Sequence, residues 1–340
     1  MQHARAKQGD AKPPLPSCPP ALLHRKGPPA LPDEPPPRRC VLILMGTRQG
    51  ARWLPGQLAS IAGQTVTDWQ LWVSDDGSTD ATPDILAAFA AARPGQVRLV
   101  QGPRSGSAQN YLALLTHPDL PADRPVALSD QDDVWYPEKL ARGLALLDGG
   151  PGPAIYGGQS RHIDSTGRPC GRSRRPVRPV TLGNAAVQNM VSGHSLMLNP
   201  AAAALARAAG RPAGVAHHDW WLSLLVIAAG GRAVIDDATV LDYRQHGHNA
   251  VGAPGGAGAL LRRGGMGLRG QYRGWFAANI AGLAAARHLL DAPAQRLVDT
   301  LSRAPSRGPG RVAAFVSARL HRQRRAATLA ILLAALCGLA

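Results

Sequence analysis

The chain has 340 residues, 45% of them hydrophobic, which is enough for one large domain or two smaller ones. Its four cysteines have neither zinc-ligand nor redox spacing, and nothing in them indicates a disulfide framework. The net charge is +16, and the segment from Arg244 to Ala340 holds 14 arginines and two aspartates. This asymmetry predicts an anionic partner surface, and a membrane is favoured over nucleic acid because aromatic residues there are few and no nucleic-acid-binding module is recognisable.

The first 39 residues are dominated by proline, with charged residues between. Such a segment buries too little apolar surface to offset the entropy of ordering it, so residues 1–39 are predicted to be a disordered leader. It contains no apolar core of a signal peptide, which favours a cytoplasmic protein.

Apolar runs and helical faces then alternate. Val41–Met45 is a continuous apolar run, typical of a strand that is covered on both faces. Trp69–Ser74, Val97–Val100 and Val126–Leu128 are predicted to be further strands, with an amphipathic helix after each of the first three. This alternation predicts an α/β fold with a mostly parallel sheet and helices on both of its faces.

The pattern loosens after the fourth strand. Arg161–Arg178 is basic and rich in proline, and is predicted to be a loop. Ala233–Ile235 and Val240–Tyr243 are predicted to be a closing pair of strands. A glycine-rich linker between residues 252 and 267 then separates an arginine-rich helical tail.

The last 15 residues, Ala326–Ala340, carry no charge. As a helix they would span about 22 Å, which is short of a ~30 Å hydrocarbon core. They predict a helix at a membrane interface or one docked on the protein itself, and the sequence leaves the two possibilities open.

Acidic residues follow two of the predicted strands. Asp75 and Asp76 end the second strand, and Asp130, Asp132 and Asp133 follow the fourth. The carboxyl ends of parallel strands share one edge of a sheet, where α/β folds bind their ligands. Crowded carboxylates repel unless they are neutralised, and their oxygens suit Mg²⁺ or Mn²⁺. A metal–diphosphate site is therefore expected, and a solvated acidic turn or helix cap is the alternative.

Two nucleotide-binding motifs are missing from the chain. There is no GxxxxGK[ST] sequence, which excludes a P-loop enzyme, and no GxGxxG after the first strand, which argues against a dinucleotide oxidoreductase.

Six ordered segments together resemble family 2 glycosyltransferases with the GT-A fold, in particular their rhamnosyltransferase-like branch. They are Thr47–Leu54, Ser74–Asp80 (SDDGSTD), Gly102–Leu115, Leu128–Trp135 (LSDQDDVW), His218–Trp221 (HDWW) and Tyr243–Asn249 (YRQHGHN). The resemblance covers about 200 residues, and it implies a catalytic domain at residues 40–250 followed by the linker and basic tail at 251–340. Arg48 and Gln49 depart from the family, which commonly has Tyr and Asn there.

The resemblance also implies roles for individual residues. The nucleotide sugar would be bound by Thr47, Asp75, Asp76, Asp130 and Arg244. The metal on the diphosphate would be held by Asp132, supported by Asp133, with His246 reaching it from the closing loop. Asp219 would be the catalytic base, although a helix N-cap is the alternative for this residue.

The implied activity is inverting, Mg²⁺- or Mn²⁺-dependent transfer of a sugar. Resemblance to the branch implies rhamnose from dTDP-rhamnose, and an acceptor that is a polysaccharide or a lipid-linked saccharide of the cell surface. The basic tail predicts peripheral contact with the inner face of the cell membrane. A sugar nucleotidyltransferase and a non-catalytic module that binds membrane or nucleic acid are the alternatives.

Overall fold

The computed structural model describes residues 40–246 and 270–340. The predicted leader, the whole of the predicted linker at residues 252–267 and the last three residues of the YRQHGHN segment lie outside the described residues.

The described strands form one mixed sheet in the order β3-β2-β1-β4-β8-β6-β9-β5, and β7 pairs with β6 outside this path. In chain order the strands are β1 Val41–Thr47, β2 Trp69–Asp75, β3 Val97–Gln101, β4 Val126–Ser129, β5 Val134–Trp135, β6 Ala154–Ile163, β7 Pro169–Arg172, β8 Leu196–Leu198 and β9 Arg232–Arg244.

The described α-helices cover the faces of the sheet and form the C-terminal region. They are α1 Leu54–Ala62, α2 Thr82–Ala91, α3 Ser107–Leu115, α4 Lys139–Leu147, α5 Leu182–Val187, α6 Pro200–Ala209, α7 His218–Ala228, α8 Gln271–Ala285, α9 Ala292–Arg303, α10 Pro309–Ser317 and α11 Arg325–Cys337.

The first half of the sheet confirms the predicted parallel arrangement. β1 pairs in parallel with both β2 and β4, and β2 pairs in parallel with β3. Because side chains alternate along a strand, Leu42 and Leu44 pack on one face against α3 and α7, whereas Ile43 packs on the other face with α1 and α4. Both faces are therefore buried, which explains the continuous apolar run of β1.

The second half corrects two predictions. The segment Arg161–Arg178 is not all loop, because β6 continues to Ile163 and turns into β7 at a bend where Asp164 accepts the backbone N–H groups of Thr166 and Arg168. The predicted closing pair of strands is one strand, β9, which runs parallel to β6 with register shifts opposite residues 157–160. These shifts accommodate the polar residues in the middle of β9.

The predicted helical tail is confirmed, and it shares its core with the sheet domain. Phe276 of α8, Leu297 of α9, Phe315 of α10 and Ile331 of α11 belong to the same buried cluster as Trp221 of α7. Within the described ranges, no helix combines the length and the apolar character needed to cross a bilayer.

Candidate active site

The predicted strand ends meet at one edge of the sheet. Thr47 at the end of β1 lies in register with Asp75 at the end of β2, and Ser129 at the end of β4 pairs with Met45 of β1. The two acidic segments are thus brought to one edge because they follow β2 and β4, the parallel strands on either side of β1, as the sequence predicted.

Asp75 is held in a fixed orientation on this edge. Its Oδ1 accepts hydrogen bonds from the Thr47 hydroxyl at 3.0 Å and from the Ser78 hydroxyl at 2.5 Å, while Oδ2 accepts the Ser78 N–H at 2.8 Å. Asp75 remains partly exposed, so it forms a preorganised polar wall at the mouth of the site.

Asp76 is buried and holds the loop that follows β3. Its carboxylate accepts the backbone N–H groups of Arg104 at 2.5 Å and of Gly106 at 3.1 Å. Gly102 permits this close approach, because a Cβ there would lie 2.8 Å from both the Asp75 carbonyl oxygen and Asp76 Oδ1. Asp76 therefore shapes one wall of the site.

Gln131 clamps the acidic turn after β4 to the loop after β1. Its Oε1 accepts the Arg48 N–H at 2.9 Å, and its Nε2 donates to the Arg48 carbonyl oxygen at 3.0 Å. Gly50 packs directly against this amide, since a Cβ at Gly50 would lie 2.3 Å from Gln131 Oε1. The amide between the two acids of the turn thus fixes where their carboxylates lie.

Asp132 and His246 form the outer part of the acidic site. His246 Nε2 and Asp132 Oδ2 lie 2.6 Å apart, and the two side chains are only 10% and 12% exposed. The His246 ring stacks on Trp53 with 4.4 Å between ring centroids. Arg244 supports the same contact, because its Nε donates to the Asp132 carbonyl oxygen and its N–H donates to Asp133 Oδ1.

A deeper cluster of titratable groups lies beneath this pair. Ligand atoms of Asp130, Asp133 and His194 lie within 4.8 Å of one another. Lys139 is completely buried beside them, donates from Nζ to the His194 carbonyl oxygen at 2.9 Å, and lies 3.2 Å from the centroid of the Trp135 ring. The site therefore contains its own cation, held without contact with solvent.

Burial and neighbouring charges shift the pKa values of these groups from their ordinary values. Burial, together with the charge of Asp132, raises the pKa of Asp130 to about 7, and burial raises the pKa of Asp133 well above its ordinary value. Burial lowers the pKa of Lys139 well below its ordinary value and that of His194 to about 3. Each of these shifts disfavours the charged form of its group, and an added cation beside Asp130 and Asp133 would favour the ionised carboxylates.

Tyr111 links the acidic cluster to helix α7. Its hydroxyl oxygen lies 2.8 Å from Asp130 Oδ1 and 2.6 Å from the Ser129 carbonyl oxygen, so its single O–H is placed between these two acceptors. The Tyr111 ring stacks on His218, with 4.1 Å between the centroids. His218 immediately precedes Asp219, so the start of α7 is held against the acidic site.

Asp219 lies at the first turn of α7, partly exposed. Its Oδ2 accepts the Gly193 N–H at 2.9 Å, and its Oδ1 accepts the Trp220 N–H at 2.8 Å. It lies close enough to the cluster for its charge to add to the burial and the Asp132 charge that raise the pKa of Asp130, and to oppose in part the burial that lowers the pKa of His194. The carboxylate is thus oriented by two backbone donors next to the acidic site.

Comparison with known proteins identifies the family. The profile described as "Glycosyl transferase family 2" matches residues 42–209, which hold the whole first half of the sheet and the acidic turn. Residues 42–209 form a glycosyl transferase family 2 domain. It is 32% identical over 105 residues to "dTDP-rhamnosyl transferase RfbG" of Shigella flexneri, a match that spans 30% of this chain and 36% of the relative.

Other members of the family give the same result. The chain is 30% identical over 109 residues to "Putative glycosyltransferase EpsE" of Bacillus subtilis, spanning 32% of this chain and 38% of that protein. The chain thus spans little more than a third of the length of these curated relatives. The crystal structure of S. aureus TarS 1-349 superimposes with a TM-score of 0.50 at 14% identity, covering 82% of this chain and 89% of that one. The fold is GT-A.

The chemistry of the residues in this family 2 site fits a divalent cation. Asp132 and His246 contact each other directly at 2.6 Å, and carboxylate and imidazole groups are donors that Mn²⁺ and Mg²⁺ sites use. Asp133 Oδ2 is buried and accepts no hydrogen bond from any residue in the described part of the chain. An unsatisfied buried carboxylate oxygen is costly, and a cation nearby would relieve that cost.

The sequence did not indicate Lys139, His194 or Gln131 as members of the family 2 site. Gln131 stands between two predicted acids and could have been examined as their support. Lys139 begins the helix after the acidic turn, which was the available signal for its proximity. Nothing local to His194 indicates its position, because it reaches the cluster only through the pairing of β8 with β4 and β6.

Proposed function

We propose that this protein is an inverting glycosyltransferase that transfers a sugar from a nucleoside diphosphate donor to an acceptor hydroxyl. One observation carries the proposal: carboxylates from two strand ends, the His246 imidazole and the Asp219 carboxylate converge on one edge of a family 2 domain. An inverting transfer needs residues that bind the donor and a single catalytic base, and this edge of the sheet offers candidates for both.

The donor side of the reaction is assigned to the strand ends. The oriented carboxylate of Asp75, with Thr47 beside it, is suited to accept hydrogen bonds from the base or ribose of the nucleotide. Asp130, Asp76 and Arg244 line the space next to it and are proposed to complete the nucleotide-sugar site. Fixed polar groups of this kind position the donor before the reaction.

Asp132 and His246 are proposed to hold Mg²⁺ or Mn²⁺, with Asp133 in support. When bound, the ion would act as a Lewis acid toward the charge that develops on the diphosphate leaving group. The protein's part is to fix the two ligands, through the ring of Trp53 behind His246 and the side chain of Arg244 behind Asp132.

Asp219 is proposed to take the proton from the acceptor hydroxyl as that oxygen attacks the anomeric carbon. The N–H groups of Gly193 and Trp220 hold the carboxylate in one orientation without removing its remaining lone pairs. Because these donors belong to rigid secondary structure, the base does not have to reorganise during the reaction.

The donor is proposed to be dTDP-rhamnose, and the acceptor a polysaccharide or lipid-linked saccharide of the cell surface. Support comes from the SDQDDVW, HDWW and YRQH segments and from the partial match to the Shigella flexneri dTDP-rhamnosyl transferase. We also propose that the enzyme works at the inner face of the cell membrane, where a lipid-linked acceptor would be presented.

The test is a panel of nucleotide sugars incubated with the purified protein, acceptor lipid extract and Mg²⁺ or Mn²⁺, with nucleoside diphosphate release as the readout. We expect release to be fastest with dTDP-rhamnose and to be lost in Asp132→Ala. Asp119→Ala, which removes an exposed carboxylate paired with Arg98, is the matched control and should retain full activity. Equal activity of Asp132→Ala and wild type would refute the assigned metal site. Formation of a nucleoside triphosphate and a sugar 1-phosphate from the nucleotide sugar when pyrophosphate is added would indicate a nucleotidyltransferase.

A further inference from the structure

Helix α11 turns an apolar face toward solvent. Leu329, Leu333 and Leu336 are 59%, 54% and 44% exposed, and their spacing of four and three residues aligns them along one side of the helix. The opposite side is buried through Ile331 and Ala335. Exposed members of the same outer side also include Ala326, Ala330 and Cys337. These six residues are called the α11 outer face.

This arrangement is the reverse of that in an ordinary surface helix, which presents polar residues to water. Single exposed leucines are common, but a continuous apolar stripe marks an interaction surface. Val316 of α10, which packs beside α11, is 60% exposed and adds to the apolar surface of this part of the protein. The α11 outer face is therefore expected to contact an apolar partner.

The charges of the surrounding segment indicate the chemistry of that partner. From residue 300 to the end of the sequence there are seven arginines and no acidic residue. Arg324 and Arg325 are exposed at the start of α11, and at its other end Arg273 donates to the Gly338 carbonyl oxygen, with Arg307 alongside. A long apolar stripe with a cationic side chain at each end matches a lipid interface, where arginine stems lie in apolar surroundings and guanidinium groups reach phosphate.

A second copy of the chain fits this surface less well. A symmetric dimer would bring the same patch of both subunits together. The arginines at each end of α11 would then face arginines or uncharged surface, with no carboxylate in the segment to pair with them. An anionic lipid surface supplies both the apolar and the negative component.

We propose that the α11 outer face lies flat in the headgroup region of a membrane leaflet rich in anionic lipid, with the flanking arginines on lipid phosphates. The helix has 13 residues, or about 20 Å, which is too short to span a bilayer but suits an interfacial orientation. This inference rests on the proposed location of the enzyme at the membrane. Binding of the α11 outer face to lipid does not itself depend on sugar transfer.

The first test is sedimentation of the full-length protein with vesicles of phosphatidylcholine alone or mixed with phosphatidylglycerol. We expect binding only to the anionic vesicles, weakening as salt rises. The double variant Leu329→Glu/Leu333→Glu should bind at least tenfold more weakly. Leu99→Glu, which adds one negative charge instead of two at a leucine 41% exposed on β3, is the control and should bind like wild type.

The second test uses the exposed thiol of Cys337 as a local probe. In a background with the other cysteines replaced by serine, an environment-sensitive dye on Cys337 should shift to the blue when anionic vesicles are added. The same dye on Cys170, exposed on β7, should not shift. Equal vesicle binding of the double variant and wild type, or no shift at Cys337, would overturn the proposal.

Two further outcomes are distinguished by separate measurements. If wild type is a dimer by light scattering and the double variant is a monomer, a second copy occupies the α11 outer face and the lipid proposal is wrong. Sugar transfer to a detergent-solubilised acceptor, measured without vesicles, should be unchanged in the double variant. If wild type transfers no sugar yet binds vesicles as expected, the proposed function fails and the membrane surface stands.

Discussion

Replacing Asp219 by Asn tests the assigned base without changing the size of the side chain. An amide cannot accept the proton of the acceptor hydroxyl, so the contribution of the base is lost. General bases contribute about 10²–10⁴-fold, and at about 1.4 kcal/mol for each tenfold this is a rise of about 3–5 kcal/mol in the activation barrier. We expect kcat to fall by that factor.

The structure also predicts a separate effect on stability. The two oxygens of Asp219 accept the N–H groups of Gly193 and Trp220, and the amide of Asn offers only one acceptor oxygen. One donor then faces the amide nitrogen, at a cost of about 1–3 kcal/mol. Asp219→Asn should therefore melt several degrees lower while remaining folded at the assay temperature.

The assay compares kcat with saturating donor and acceptor, the melting temperature, and the affinity for nucleoside diphosphate. Asp291→Asn is the matched control, because Asp291 caps α9 by accepting the Ala294 N–H at 2.7 Å and lies at a helix start on the tail. Asn keeps the one acceptor oxygen that this cap uses, so the variant should keep both its stability and its kcat. If Asp219→Asn is folded, binds nucleoside diphosphate normally and transfers sugar at the wild-type rate, Asp219 is a helix cap and the assignment of the base is wrong.

Other substitutions test the rest of the account. Asp132→Ala should abolish the gain in nucleoside diphosphate affinity that Mn²⁺ gives wild type, as measured by calorimetry; an undiminished gain would place the ion elsewhere. Lys139→Met should lower the free energy of unfolding in urea by about 3–5 kcal/mol, because it leaves buried acids without their cation, and a neutral effect would show that Lys139 is not needed there. Arg142→Met should cost a similar amount, since Arg142 donates two hydrogen bonds to the fully buried carboxylate of Asp236. Burial opposes ionisation of Asp236, but the hydrogen bonds that it accepts from Arg142 and from neighbouring donors lower its pKa below the ordinary value. The pair therefore stabilises the fold above about pH 4, and this contribution is lost as the pH falls through the lowered pKa of Asp236. Wild type should therefore lose more stability than Arg142→Met between pH 5 and about pH 2, and equal losses would contradict this reasoning.

The parallel half of the sheet could be predicted because each of its strands is marked by residues that are adjacent in the sequence. Val41–Met45 is apolar at every position since both faces of β1 are covered, and the acids follow directly where the buried strands end. The position of those acids then follows from the geometry of a parallel sheet, which is why Asp75 and Asp132 could be assigned to one edge before the structure was known.

The second half of the sheet was harder to predict because distant partners satisfy its polar residues. Asp236 interrupts the apolar pattern of β9, so the sequence indicated two strands, yet Arg142 and Tyr156 bind its carboxylate and the strand continues. Lys139 and His194 were missed for a related reason. Their importance arises from burial beside the acids, and no spacing along the chain encodes that burial.

We propose that Asp132 and His246 hold a divalent cation against the diphosphate of the donor. The most direct measurement is anomalous diffraction at the manganese edge from crystals grown with Mn²⁺ and dTDP. We expect one strong peak within coordinating distance of Asp132 and of diphosphate oxygens, with the nucleoside beside Asp75. A nucleotide bound at this edge with no anomalous peak, or a peak away from Asp132, would contradict it.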